Sequence, residues 1–167
     1  MRSATMADTD TPRALLHVAL QDLYDAEMAW IERSDTLQRD ASYRISTYLA
    51  EESRAAQAQA ERLKLAIDAI DGDLHGPPNI WLRAILDDAA RDADTIAAGP
   101  LRDTALVGAF RKGKQAERVS YETAIGLARR MNLDEIVRTL TMSRDEEART
   151  DAALVILLDA ILRDLVV

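Results

Sequence analysis

The 167-residue chain suits one domain with a real core; Leu, Ala and Ile carry most of its apolar content and aromatics are few, a mix that favours helices. A formal net charge of -8 with no block of Lys and Arg speaks against nucleic acid and anionic membrane as partners. There is no Cys, which excludes disulfides, thiolate metal sites and cysteine catalysis and fits a reducing cytoplasm, the expected location.

Residues 1–11 are polar and lack an apolar run, so they are expected to form a frayed tail and not a secretory signal, with one helical domain over 12–167. The first long helix opens at Thr11-Pro12, a capping residue followed by a first-turn proline. Its stripe is Leu16, Leu20, Leu23, Glu27, Trp30, Ser34, Leu37, in steps of three and four that share one face. After a weak break at 39–42, the second long helix is expected over 43–71, with the stripe Ile45, Leu49, Glu52, Ala56, Gln59, Leu63, Ala66, Ile70. Gly72 is expected to stop it, and Gly76-Pro77-Pro78 forbids continuation.

Asn79 is positioned to cap a shorter helix over 80–97 that carries Trp81, Ile85, Leu86 and Ile96 and ends before Gly99-Pro100. It reads as a crossover between two hairpins. The third long helix, 101–131, has the stripe Leu106, Phe110, Gly113, Glu117, Tyr121, Ala124, Ala128, Met131, with Asn132 as its stop and Asp134 as the next cap. The fourth, 135–165, reads Ile136, Leu140, Ser143, Glu147, Thr150, Leu154, Leu158, Ile161, Leu165. The longest apolar run, 152–158, lies between Asp151 and Asp159 and is far too short to span a bilayer. The expected fold is all-α: two long antiparallel hairpins joined by a crossover with a short extra helix, the layout of ferritin-like four-helix bundles.

Glu27, Glu52, Glu117 and Glu147 stand where the stripes call for apolar residues. A buried carboxylate is expensive without a cation or a proton. Glu27 and Glu52 are similarly distant from the turn of the first hairpin, and Glu117 and Glu147 from that of the second. Four carboxylates are therefore expected to converge at one height, an oxygen-rich site suited to iron, manganese or another hard divalent cation. Gln59 and Asp151 are possible additional ligands or supporting groups, and Ser143 and Thr150 possible hydrogen-bond donors. Two alternatives stand beside this. The glutamates sit at stripe edges and reach water, or Lys114, one turn before Glu117, supplies the positive charge in place of a metal. Tyr24 and Tyr121 flank the level of the site, expected to pack with the hydroxyl bonded to a carboxylate. The two histidines, His17 and His75, lie far from the glutamates, so the Glu-x-x-His motif of carboxylate-bridged di-iron bundles is absent, which speaks against oxidase chemistry.

Several segments resemble the YciE/YciF family of bacterial ferritin-like proteins. Residues 22–27, Asp-Leu-Tyr-Asp-Ala-Glu, resemble its opening helix signature; Glu61-Arg62-Leu63 its second helix; residues 102–107 the start of its third; and residues 145–151, Asp-Glu-Glu-Ala-Arg-Thr-Asp, its acidic last-helix motif. The resemblance runs from about Ala14 to Leu157. It implies a stress-associated helical bundle, often dimeric, with a carboxylate-rich metal site, and Glu27, Glu117 and Glu147 match acidic positions of the pattern. The chain departs from that pattern where Arg54 and Ala55 replace an acidic pair, making Glu52 a substitute from one turn earlier. Gln57 stands for a His or polar residue, Lys114-Gln115 for Glu-His, and Ser143 for another acid. A homodimer is the expected partner state. Leu157, Leu165, Val166 and Val167 make the last helix more apolar than one core face requires, and either a second copy or the crossover helix would cover them. Metal-bound and metal-free bundles both remain compatible with these residues, and no substrate or turnover is assigned.

Overall fold

The computed structural model describes residues 9–39 and 41–166, in five helices: α1 (Pro12–Gln38), α2 (Tyr43–Asp68), α3 (Ile80–Thr95), α4 (Pro100–Arg130) and α5 (Asp134–Arg163). Of the expected tail, residues 1–8 lie outside the described residues, as does Val167. α1 packs along α2 and α4 along α5, giving two hairpins; α3 lies against α1 and α4 and connects them. Among the described residues no helix is long and apolar enough to cross a membrane.

The helix ends follow local chemistry. Thr11 accepts from the Ala14 N–H, Ser42 from Ile45 and Asn79 from Leu82, so side chains cap α1, α2 and α3. The stop of α2 differs from expectation. Asp71, not Gly72, takes the left-handed conformation (φ 54°), and the Gly72 N–H closes back on the Ile67 carbonyl at 3.0 Å. Asn132 does the same after α4 (φ 57°), as its residue type suggested, with Leu133 N–H bonded to the Ala128 carbonyl. Asp134 is the first residue of α5 and not its cap; there it stabilises the positive end of the helix dipole.

α3 is pinned to α1 by polar groups. Arg83 grips Asp25 through Nε and Nη2, both at 2.8 Å, and this guanidinium holds the Asp25 carboxyl below its ordinary range. Asn79 donates its backbone N–H to Asp25 and its side-chain amide to the Asp22 carbonyl, while Trp81 donates to Asp22.

Two apolar clusters fill the interior. One gathers Trp30, Leu37, Ile45, Leu49, Leu86, Phe110 and Ile161. The other gathers Leu16, Leu20, Leu63, Ile67, Tyr121, Ile125 and Leu140. The predicted stripes supply most of both, with Ile67 and Ile125 added from positions beside the stripes. All four stripe glutamates fall in sequence between the two sets of residues, so the apolar core is split at mid-height by a polar layer. Along α5, Leu154 and Ile161 are buried, and Leu157 and Leu158 pack partly against the first cluster, while Val155, Ile156 and Leu162 stay exposed, as does Val166 beyond its end.

Gly113 permits the closest approach in this core. A Cβ there would lie 3.0 Å from both Leu82 Cδ1 and Trp30 Cζ2, and both side chains are fully buried. Gly126 and Gly108, on the same helix, face open space. Gly126→Ala is therefore expected to raise stability by about 0.5–1 kcal/mol, because alanine is the better helix residue. Gly113→Ala is expected to lower it by about 1 kcal/mol or more despite the same propensity gain, because rigid neighbours must shift. Urea denaturation of the two variants checks the opposite signs.

Candidate functional site

Glu27, Glu52, Glu117, Glu147 and Lys114 are all buried, with at most 3% of any residue exposed. Oxygens of Glu52, Glu117 and Glu147 come within 4.8 Å of one another. The Lys114 ammonium sits among them. Nζ lies 2.8 Å from Glu117 Oε2 and 2.7 Å from Glu147 Oε2, and it donates a hydrogen bond to Glu52 Oε1. It also lies 4.6 Å from the centroid of the Trp30 ring, whose face attracts a cation. Lys114 occupies this place because it lies one helical turn from Glu117 on α4, so its stem runs along the same inner face.

Each of three carboxylates takes a hydrogen bond from one aromatic side chain. Trp30 Nε1 donates to Glu117 Oε1 at 2.9 Å, Tyr121 Oη to Glu27 Oε1 at 2.8 Å, and Tyr48 Oη to Glu52 Oε2 at 3.4 Å. Burial pushes both phenols well above their ordinary range, so they remain protonated donors. Glu117 Oε2 and Glu147 Oε2 lie at ion-pair distance from Lys114 but off a good hydrogen-bond direction, and Glu27 Oε2 has no partner among the described residues.

The charge balance dominates the electrostatics, with four buried carboxyl groups and one ammonium, which pairs with three of them. Burial raises the Glu27 carboxyl well above its ordinary range, with Glu147 adding to the rise and Lys114 opposing it. Glu117 is raised well for the same reasons, and Glu52 is raised by burial against the pull of Lys114. Burial alone would lower the lysine, but Glu117, Glu147 and Glu52 reverse this and hold Lys114 well above its usual value. Burial thus favours the protonated forms of Glu27, Glu52 and Glu117, while their negative charge keeps Lys114 charged.

The other candidate residues lie around this layer. Asp151, almost fully buried, accepts from Arg111 Nε at 2.8 Å and Gln115 Nε2 at 2.6 Å, so its oxygens are committed outside the cluster. Gln59 donates to Glu146 at 3.0 Å, and its own Oε1 is buried without a partner. Glu146 is in turn gripped by both Nη atoms of Arg62, which also donates to the Ser143 hydroxyl at 3.2 Å. Tyr24 packs on the second apolar cluster, so of the two flanking tyrosines Tyr121 is the one bonded to a carboxylate. His17 Nε2 lies 2.7 Å from the Asp73 carbonyl, a local bond. Sequence reasoning placed Trp30 in the core or an interface and missed it as the donor to Glu117. The available signal was its position three residues after Glu27 on the same stripe.

The family model of the domain of unknown function DUF892 matches residues 11–166. The chain belongs to this family. This DUF892 bundle superposes on the Escherichia coli stress protein YciF with a TM-score of 0.88 and 21% identity, covering 93% of this chain and 99% of that one. Against YcfI from Rhodopseudomonas palustris the TM-score is 0.82 and the identity 26%, with 88% and 94% of the two chains covered. The YciE/YciF-type assignment from the motifs is thereby established. No curated protein matches the chain significantly.

The raised carboxyls give this DUF892 bundle a pH dependence of definite sign. Groups whose folded pKa exceeds the unfolded value of 4.5 stabilise the fold fully below that value. They lose that contribution as pH rises through the folded pKa. Unfolding free energy is therefore expected to fall as pH climbs above about 5. Glu27→Gln keeps an acceptor for Tyr121 without a titrating proton and should flatten this fall by up to about 1.4 kcal/mol per pH unit. Urea titrations at several pH values read the difference in slope.

Proposed function

We infer that this protein is a ferritin-like bundle whose core carboxylate centre is held by an internal cation, Lys114, and that it serves as a stress-associated structural or interaction module. The observation that carries the reading is the position of Nζ, in ion-pair contact with Glu52, Glu117 and Glu147. A metal bridging those three residues would need the same space. The donor set does not fit an iron or manganese centre while Lys114 holds that rotamer, because its ammonium already occupies the point where the oxygens converge. The order of helices, two hairpins with α3 between them, supports the ferritin-like layout. The stress association is argued from likeness to YciF. No turnover is assigned.

A second reading has its own support. Four carboxylates outnumber one ammonium, and Glu27 Oε2 is buried without a partner, so the layer retains an appetite for positive charge. Under that reading Glu27, Glu52, Glu117 and Glu147 hold iron or manganese after Lys114 turns away; Asp151 takes no part because Arg111 and Gln115 engage its oxygens, whereas Gln59 Oε1, buried without a partner, is free to support the site. Exposed Val155, Ile156 and Leu162 on α5 support a second copy of the chain as a partner in either case.

Metal analysis of protein purified under mild conditions separates the two. The lysine reading expects no stoichiometric iron or manganese in the wild type. It expects Lys114→Met to lose about 3–5 kcal/mol, since that variant leaves buried acids uncompensated, and to regain stability with manganese. A full complement of metal in the wild type, lost in the Glu27→Ala, Glu147→Ala double variant, would overturn it.

A further inference from the structure

The seam between α2 and α5 is closed at both ends and open in the middle. Arg62 clamps Glu146 at one end, and Arg44 reaches Asp164 at 2.8 Å at the other. Between these ion pairs lies a cavity of about 330 Å³, within the range of about 300–1,000 Å³ typical of small-molecule sites. Small side chains line the gap, Ala55 on α2 and Ala153 on α5, with Leu154 and Leu157 completing an apolar wall.

The polar groups of this cavity are unevenly satisfied. Glu52 lines it together with Tyr48, and their mutual hydrogen bond is long, at 3.4 Å, so the Glu52 Oε2 atom is weakly served. Glu51, also lining the cavity, is exposed and has no ion pair among the described residues. Thr47 and Thr150 line it as well. Thr95, Thr104, Thr123 and Thr139 each bond the carbonyl four residues back, whereas neither Thr47 nor Thr150 has a hydroxyl partner among the described residues. The cavity therefore combines two carboxyl side chains, two spare hydroxyls and an aliphatic wall, with the buried Lys114–glutamate layer behind Glu52.

We propose that this cavity binds a small organic ammonium, a primary amine on a short aliphatic body, whose charged end meets Glu52 and Glu51 while its carbons lie on Ala55, Ala153 and Leu157. It repeats from the solvent side the arrangement that Lys114 makes from within, since lysine is itself an ammonium on a four-carbon stem seated against Glu52. A hydrated metal ion would make no use of the aliphatic wall. The Arg44 guanidinium at the rim is engaged by Asp164 and does not repel such a ligand as a free charge would. The proposal rests on the reading of Lys114 as the inner cation only for the identity of the group beyond Glu52.

The test uses full-length protein dialysed against chelator, titrated calorimetrically with n-butylammonium chloride and, separately, with potassium and manganese chlorides at matched ionic strength. The expected result is saturable butylammonium binding that weakens about tenfold or more in Ala153→Leu, which fills the cavity from an exposed position, and several-fold in Glu51→Gln. Circular dichroism confirms that both variants fold. Absence of saturable amine binding, equal affinity in Ala153→Leu, or manganese binding blocked by that substitution with no amine binding would each overturn the proposal. Metal content of the undialysed protein is a separate readout, so failure of the cavity and failure of the Lys114 reading are told apart.

Discussion

The contact between the Lys114 ammonium and carboxylates from three helices sets the conditions under which this bundle can exist. Glu52 comes from α2, Glu117 from α4 and Glu147 from α5, so one cation ties both hairpins together at mid-height. A layer of this kind is a poor source of net stability, because desolvating each charge costs about as much as the attraction returns. It is a strong source of specificity. A hairpin that slips by one turn leaves carboxylates facing Leu or Ile, and the penalty for an unpaired buried charge is far greater than that for a mismatched apolar contact.

The apolar clusters above and below the layer supply the bulk of the folding energy. Their separation explains why aromatic donors gather at the boundary. Trp30 belongs to one cluster and Tyr121 to the other, and each turns its single polar atom toward a glutamate. Gly113 belongs to the same design: the residue beside Lys114 lacks a side chain, so the Trp30 ring can lie against the helix backbone and offer its face to the ammonium.

Much of this was legible in the residue pattern. Stripe spacing placed Glu27, Glu52, Glu117 and Glu147 inside, and distances from the turns brought Glu52, Glu117 and Glu147 together, while Glu27 lies apart on Tyr121. Both follow from helical geometry alone. Lys114 was legible only as an alternative to metal, because a long flexible side chain one turn from an acid can equally snorkel outward. The partners of Asp151, a possible ligand by its spacing, were hidden for a related reason. It lies one turn from Glu147, but its direction is decided by Arg111 and Gln115 on a different helix. The Arg62–Glu146 clamp and the α2/α5 cavity depend on which exposed flanks meet across a seam, and no stripe records that. The end of α2 turned on whether Asp71 or Gly72 adopts a left-handed backbone, where glycine is the default and aspartate the less frequent choice.

The central claim is that the lysine and the carboxylates form one electrostatic unit. A double-mutant cycle between Lys114→Met and Glu147→Gln, measured by urea denaturation at neutral pH, tests it most directly. The account predicts a coupling energy of about 2–3 kcal/mol, with Glu147→Gln partly relieving the loss caused by Lys114→Met. Additive losses, with coupling within about 0.5 kcal/mol of zero, would contradict it.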